Sequence, residues 1–168
     1  MKHIALLGSA ALVLLAFPSE GWSRKGRLQC QTDQVRRLVA NWADALNKSS
    51  STNPAPILTT YAPKGAVLLP TCANGPLTNE EDIKKYFVDF LKKQPRVTVD
   101  PNKAEIGGCD YTFASGLYEF ALNGQPTPIL LRARYTYVFH NGKIMQHHSS
   151  VEPDVGPGNV CPPKNPGS

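Results

Sequence analysis

The chain has 168 residues, of which 41% are hydrophobic and 18% charged, and its net charge is +5. That length fits one domain with a genuine core, and the composition excludes a disordered chain. No stripe of Lys and Arg interleaved with aromatics is present, which excludes a nucleic-acid-binding surface; the modest positive charge favours small anions or serves solubility.

Met1, Lys2 and His3 form a short basic start, and Ile4 to Phe17 is apolar apart from Gly8 and Ser9. Ser19 and Gly21 are small residues at the positions a signal peptidase requires, so residues 1–21 are expected to be a cleaved signal peptide. The apolar run is too short for the roughly 20 residues that span a bilayer, so no membrane anchor is expected after cleavage. The predicted destination is periplasmic or secreted. Cys30, Cys72, Cys109 and Cys161 would then suit one or two disulfides, with the pairing left open. No Cys-x-x-Cys spacing exists, which argues against a zinc ribbon or a thioredoxin-like site.

Residues 22–29 read as a basic leader. The first helix is expected from Thr32 as N-cap, with Val35, Leu38, Val39, Trp42, Ala45 and Leu46 on its apolar face. A shorter helix with Pro54 or Pro56 near its start should hold Ile57, Leu58 and Tyr61. Ala66 to Leu69 reads as a short strand closed by Pro70. Thr78-Asn79-Glu80-Glu81 has the spacing of a capping box and predicts a third helix that buries Ile83, Tyr86, Phe87, Phe90 and Leu91. Short strands are expected at Arg96–Asp100 and Ala104–Ile106. Longer ones are expected at Tyr111–Leu122, Ile129–Phe139 and Lys143–Val151, with Asn141-Gly142 as a two-residue hairpin turn. Three helices followed by an antiparallel meander make an α+β domain over residues 30–153, ahead of a Pro/Gly-rich tail at 154–168.

The chemistry-bearing string is Gln146-His147-His148-Ser149-Ser150. Strand alternation puts His148 and Ser150 on one face and His147 and Ser149 on the other, so two adjacent His cannot both reach one metal ion. His140 is the remaining histidine of the mature chain, which makes a three-His zinc site hard to assemble. Thr71 follows an apolar strand, Tyr86 lies on the inner stripe of a helix, and Arg132 and Arg134 share one strand face, where solvent or a partner subunit is the favoured reading. There is no Ser-His-Asp order, phosphate loop or His-Glu-x-x-His motif.

Several strings occur together and in order: Tyr61-Ala62-Pro63, Val67-Leu68-Leu69-Pro70-Thr71, Lys85-Tyr86-Phe87 with Phe90-Leu91, Gly116-Leu117-Tyr118 with Phe120, Ala133-Arg134-Tyr135-Thr136 and His147-His148-Ser149-Ser150. In this the chain resembles the iota-class carbonic anhydrases, whose domain is similar to the association domain of calcium/calmodulin-dependent kinase II. The resemblance implies an NTF2-like (SnoaL-like) cone, with three N-terminal helices packed on a curved antiparallel sheet. It implies reversible hydration of carbon dioxide to bicarbonate in a pocket between helices and sheet. Carried over by motif, the pocket residues are Thr71, Tyr86, His148 and Ser150, with His147 and Ser149 as the alternative pair. A metal-free site with no cofactor is the favoured implication, with a divalent metal such as zinc or manganese as the alternative. The fold also implies a homodimer. A non-catalytic ligand-binding or oligomerisation module of the same fold is the other functional reading.

Overall fold

In this computed structural model the described residues are 24–107 and 112–152. The expected signal peptide, Tyr111, Cys109, Cys161 and the chain from Pro153 onward lie outside them, as does the side chain of Cys30.

Helix α1 (Arg24–Lys48) starts inside the stretch read as a leader, eight residues before the expected cap at Thr32. Apart from Gly26, nothing from Arg24 to Gln31 interrupts a helix, so the turns propagate back beyond Thr32. Val35, Val39, Trp42, Ala43 and Leu46 are its buried stripe, at the spacing of one helix face. At its C-terminal end Asn47 acts as a strand partner. Its side-chain amide donates to the carbonyl of Val97 and accepts from the amide of Val97, both at 2.9 Å. Helix α2 (Ala55–Leu58) is a single turn. Tyr61, expected inside it, lies beyond its end and is held by backbone bonding around Ile144. Helix α3 (Glu80–Leu91) is capped by Asn79, whose carboxamide oxygen accepts from the amide of Asp82 at 2.9 Å. The expected cap at Thr78 is therefore one residue early. Either side chain suits that chemistry, but Asn79 is the one with extended backbone beside the first turn.

The sheet holds β1 (Val67–Leu69), β2 (Pro95–Val99), β3 (Glu105–Gly107), β4 (Thr112–Leu122), β5 (Ile129–His140) and β6 (Lys143–Val151). A short 3-10 turn, Pro101–Lys103, joins β2 to β3 and was not foreseen. Strand order is β1-β6-β5-β4-β2, with β3 also on β4. All the pairs are antiparallel except β1 with β6, a parallel edge on the expected antiparallel sheet. The chain reaches β1 before α3 and returns to its neighbour only as the last strand, which makes that edge parallel. Asn141 and Gly142 take φ of 50° and 73° in the β5–β6 hairpin, the left-handed pair such a two-residue turn requires.

One face of the sheet carries Tyr118, Phe120, Leu131, Ala133, Tyr135, Tyr137, Phe139 and Ile144, buried against α1, α2 and α3. Gly116 is needed on that face. A Cβ there would lie 2.6 Å from the hydroxyl of Tyr135, whose ring crosses the position. The other face is exposed and includes Arg132 and Arg134, as expected, beside Leu117 and Leu130. Among the described residues no helix is long and apolar enough to cross a membrane.

Candidate functional site

A cavity of about 440 Å³ opens between the inner sheet face, α3 and the loop after β1. Three features of the chain shape it. The first is the loop. Leu68 and Leu77 exchange backbone hydrogen bonds of 2.9 and 2.8 Å, closing residues 69–76 into a tight excursion. Within it Cys72 adopts φ of 70°, and the amide of Ala73 bonds the carbonyl of Pro70 at 3.3 Å. A turn with a left-handed third residue is the result, and it turns Thr71 toward the sheet. Cys72 is itself disulfide-bonded.

The second feature is the helix. Ile83, Phe87 and Leu91 are buried toward the core. Tyr86, Phe90 and Lys93 follow a neighbouring stripe at i, i+4 and i+7, and all three line the cavity. Burial holds the phenol of Tyr86 well above its ordinary pKa, so it is a neutral donor.

The third feature decides the chemistry. On β6 the register slips between Val138 and Phe139: Val138 pairs with Gln146, but Phe139 pairs with Ile144. Two steps on β6 thus match one on β5, a bulge at Met145. Unbroken alternation from the buried Ile144 would turn Gln146, His148 and Ser150 inward. The extra residue inverts the phase, so His147 and Ser149 face the cavity. Gln146 and His148 are exposed, and Ser150 lies on their side of the sheet. The leading assignment of His148 and Ser150 to the pocket is therefore corrected. Thr71, Tyr86, His147 and Ser149 are the motif residues that gather around it.

His147 is 3% exposed and the only buried polar or charged residue among those described. Its ring sits 4.5 Å from that of Tyr137 and edge-on to Trp42 at 5.3 Å. Both ring nitrogens have phenol neighbours. The hydroxyl of Tyr61 is 2.7 Å from Nδ1, and that of Tyr118 is 3.4 Å from Nε2. Burial, with a smaller contribution from His148, pushes its pKa from 6.5 down to about 3. The imidazole is therefore neutral at neutral pH.

Neutrality and the neighbours fix the direction of each bond from Trp42 to Ser149. Trp42 has only a donor, and its Nε1–H donates to the Tyr61 hydroxyl at 3.2 Å. At the other end, Tyr118 donates to Ser149 Oγ at 2.6 Å. The Tyr118 oxygen is then left to accept, so His147 Nε2 carries the proton and Nδ1 accepts from Tyr61. The chain runs Trp42, Tyr61, His147, Tyr118, Ser149, and ends at Thr71 Oγ1, 3.3 Å from Ser149 Oγ. Ser149 and Thr71 share one hydroxyl proton between them, and the other proton of the pair is left for the cavity. Tyr61 and Tyr118 both have pKa values raised by burial, so no link is charged at neutral pH.

Trp42, Tyr61 and Tyr118 were not singled out as site residues from the sequence, although Tyr61 and Tyr118 stand within the motif strings. Their signal was apolar helix periodicity and strand alternation, which also mark ordinary core. Asp89 is the only carboxylate on the cavity among the described residues; it is exposed and paired with Lys92 at 2.7 Å. Among those residues, no three of His, Cys, Asp and Glu lie close enough to hold a metal ion. The one imidazole on the cavity has both nitrogens engaged, so these residues do not fit a divalent ion.

No family model matches the chain, and no curated protein does. Solved structures do match. A Xanthomonas campestris protein described as a calcium/calmodulin-dependent protein kinase II association domain is 35% identical, over 72% of this chain and 87% of that one, with a TM-score of 0.59. The chain belongs to the calcium/calmodulin-dependent kinase II association domain family. Two more distant structures share the fold of this association domain. A Nostoc punctiforme protein with a cystatin-like fold is 16% identical, covering 73% of this chain and 91% of its own, with a TM-score of 0.53. A Catenulispora acidiphila protein with a ketosteroid isomerase-like fold, in complex with trimethylamine, is 18% identical, covering 67% of this chain and 82% of its own, with a TM-score of 0.51. The association domain is thus an α+β fold of helices packed on a curved, largely antiparallel sheet, as expected.

Proposed function

We propose that the protein is a carbonic anhydrase of the iota type that hydrates carbon dioxide with uncharged side chains alone. The observation that carries this reading is the convergence of Thr71, Tyr86, His147 and Ser149 on one cavity, with Ser149 and Thr71 at the end of a hydrogen-bond chain. The sequence strings that resemble the iota class supply Thr71 and Tyr86, and His147 with Ser149 as the alternative to His148 with Ser150.

The neutral network dictates the form of the reaction. With a pKa of about 3, His147 does not serve as the base near pH 7. The water therefore adds to carbon dioxide with its proton passed onward in the same step. A water held at Thr71 and Ser149 attacks the carbon, forming the new C–O bond. Its proton passes to a hydroxyl oxygen of the pair, and the hydroxyl's proton passes to an oxygen of the carbon dioxide. The product is carbonic acid, which leaves uncharged and ionises to bicarbonate and a proton in solution. The apolar wall excludes competing water, and the Ser149, Thr71 and Tyr86 donors stabilise charge growing on the substrate oxygens. His147 acts here as a positioning residue that fixes Tyr118, which in turn fixes Ser149.

Positioning and donor stabilisation must supply the rate, because nothing in this scheme lowers the pKa of water to about 7 as zinc does. The test is stopped-flow acidification on mixing purified, chelator-treated protein with carbon dioxide. Hydration above the buffer blank, lost in Thr71→Ala and Ser149→Ala, is the expected result. Folded protein that only matches the blank rejects the enzyme. Activity that returns only with an added divalent metal rejects the uncharged mechanism.

A further inference from the structure

The cavity is much larger than the proposed reaction needs. At about 440 Å³ it has room for roughly 15 waters at about 30 Å³ each, and carbon dioxide with one water fills a small part of that. The surplus has a definite chemical character, set by the sheet register. Ser149 pairs with Tyr135 on β5, and the hydroxyls of Tyr118 and Thr71 lie 2.6 and 3.3 Å from Ser149 Oγ. Four residues along β5 is Leu131, paired with Phe120, and beyond it Leu122 pairs with Ile129. At about 3.3 Å per residue, Leu131 is roughly 13 Å from the Ser149 level. Phe120, Leu122 and Leu131 all line the cavity. The hollow is therefore lined by hydroxyls at one end and apolar along the sheet, with the exposed Asp89 and Lys93 on its α3 side.

The polar end also has a sign. Ser149 accepts from Tyr118, the Ser149–Thr71 pair keeps one hydroxyl proton beyond the bond between them, and Tyr86 is a neutral phenol at the same cavity. These groups offer donors, so the complementary group is an acceptor with oxygens in one plane. We propose that the cavity binds straight-chain monocarboxylates of about four to eight carbons, with the carboxylate at Thr71 and Ser149 and the alkyl tail along Phe120 and Leu131. A carboxylate presents the same geometry of oxygens as bicarbonate, and the tail fills what bicarbonate leaves empty. The carbon chain advances about 1.3 Å per carbon, from bonds of about 1.5 Å, so six to eight carbons cover roughly 8–10 Å of that distance, where the tail meets the Phe120 ring lying 4.6 Å from that of Tyr118. This inference rests on the donor polarity used in the functional reading, but not on hydration chemistry.

Calorimetric titration of the purified protein with acetate, butyrate, hexanoate and octanoate is the experiment. Affinity is expected to rise about four-fold per added methylene, the equivalent of about 0.8 kcal/mol, until the tail passes Phe120 and Leu131. Hexylammonium, with donors in place of acceptors, is expected not to bind. Ser149→Ala should weaken all the acids equally and leave the chain-length slope intact. Leu131→Ala should flatten that slope, and Leu131→Val gives a smaller flattening should the larger truncation fail to fold. A flat series in the wild-type protein overturns the proposal, as does hexylammonium binding as tightly as hexanoate. So does loss of the headgroup contribution in Lys93→Ala but not in Ser149→Ala. Hexanoate binding by a protein with no hydration activity rejects the enzyme and keeps this site; hydration with a flat series does the reverse.

Discussion

Replacing His147 with Gln separates the cost of its burial from everything else in the molecule. The folded protein holds this imidazole at a pKa of about 3 against an ordinary value of 6.5, through desolvation first and the nearby His148 second. Below pH 6.5 the unfolded chain binds a proton that the folded chain refuses until about pH 3. Stability from this group is therefore complete above pH 6.5 and is lost as the pH falls toward 3. One proton of difference gives a slope of about 1.4 kcal/mol per pH unit, so acidification to about pH 5 removes roughly 2 kcal/mol. The groups in contact are the phenols of Tyr61, Tyr118 and Tyr137, all raised by burial and uncharged throughout that range. The assay is urea unfolding of both proteins at about pH 7, 6 and 5. The wild type is expected to lose stability faster than His147→Gln, by about 2 kcal/mol over the interval. The variant starts lower because it disturbs the bonds to Tyr61 and Tyr118. Parallel curves for the two proteins would refute a neutral, desolvated His147 and with it the bond directions derived from it.

Tyr118→Phe keeps the ring stacked on Trp42 at 5.6 Å but leaves the Nε2–H of His147 without its acceptor. A loss of about 1–3 kcal/mol in chemical denaturation is expected, together with roughly ten-fold slower hydration, since one hydrogen bond of about 1.4 kcal/mol is removed from the chain behind Ser149. Unchanged kinetics would show that Ser149 is oriented without it. Gly116→Ala places a methyl 2.6 Å from the Tyr135 hydroxyl and is expected to cost about 1–3 kcal/mol, with Tyr135→Phe in the same chain recovering part of the loss.

The sequence by itself determined the elements and the class of fold. Val35, Val39, Trp42 and Leu46 recur at helical spacing, Asn141-Gly142 demands a tight hairpin, and long alternating strands follow three helices; all of these are local properties of backbone and side chain. It also placed Thr71, Tyr86, His147 and Ser149 among the candidates, through residue type and motif order. Two things were settled only by tertiary structure. The parallel pairing of β1 with β6 depends on where the chain returns in space. Which of two adjacent histidines faces inward depends on a single extra residue at Met145, whose presence is defined only by the partner strand. Strand periodicity has two phases, and nothing within β6 distinguishes them until β5 is laid beside it. The same holds for Trp42, Tyr61 and Tyr118. Each reads as core by its neighbours in sequence, and becomes part of a hydrogen-bond chain because packing brings its polar atom to the next one.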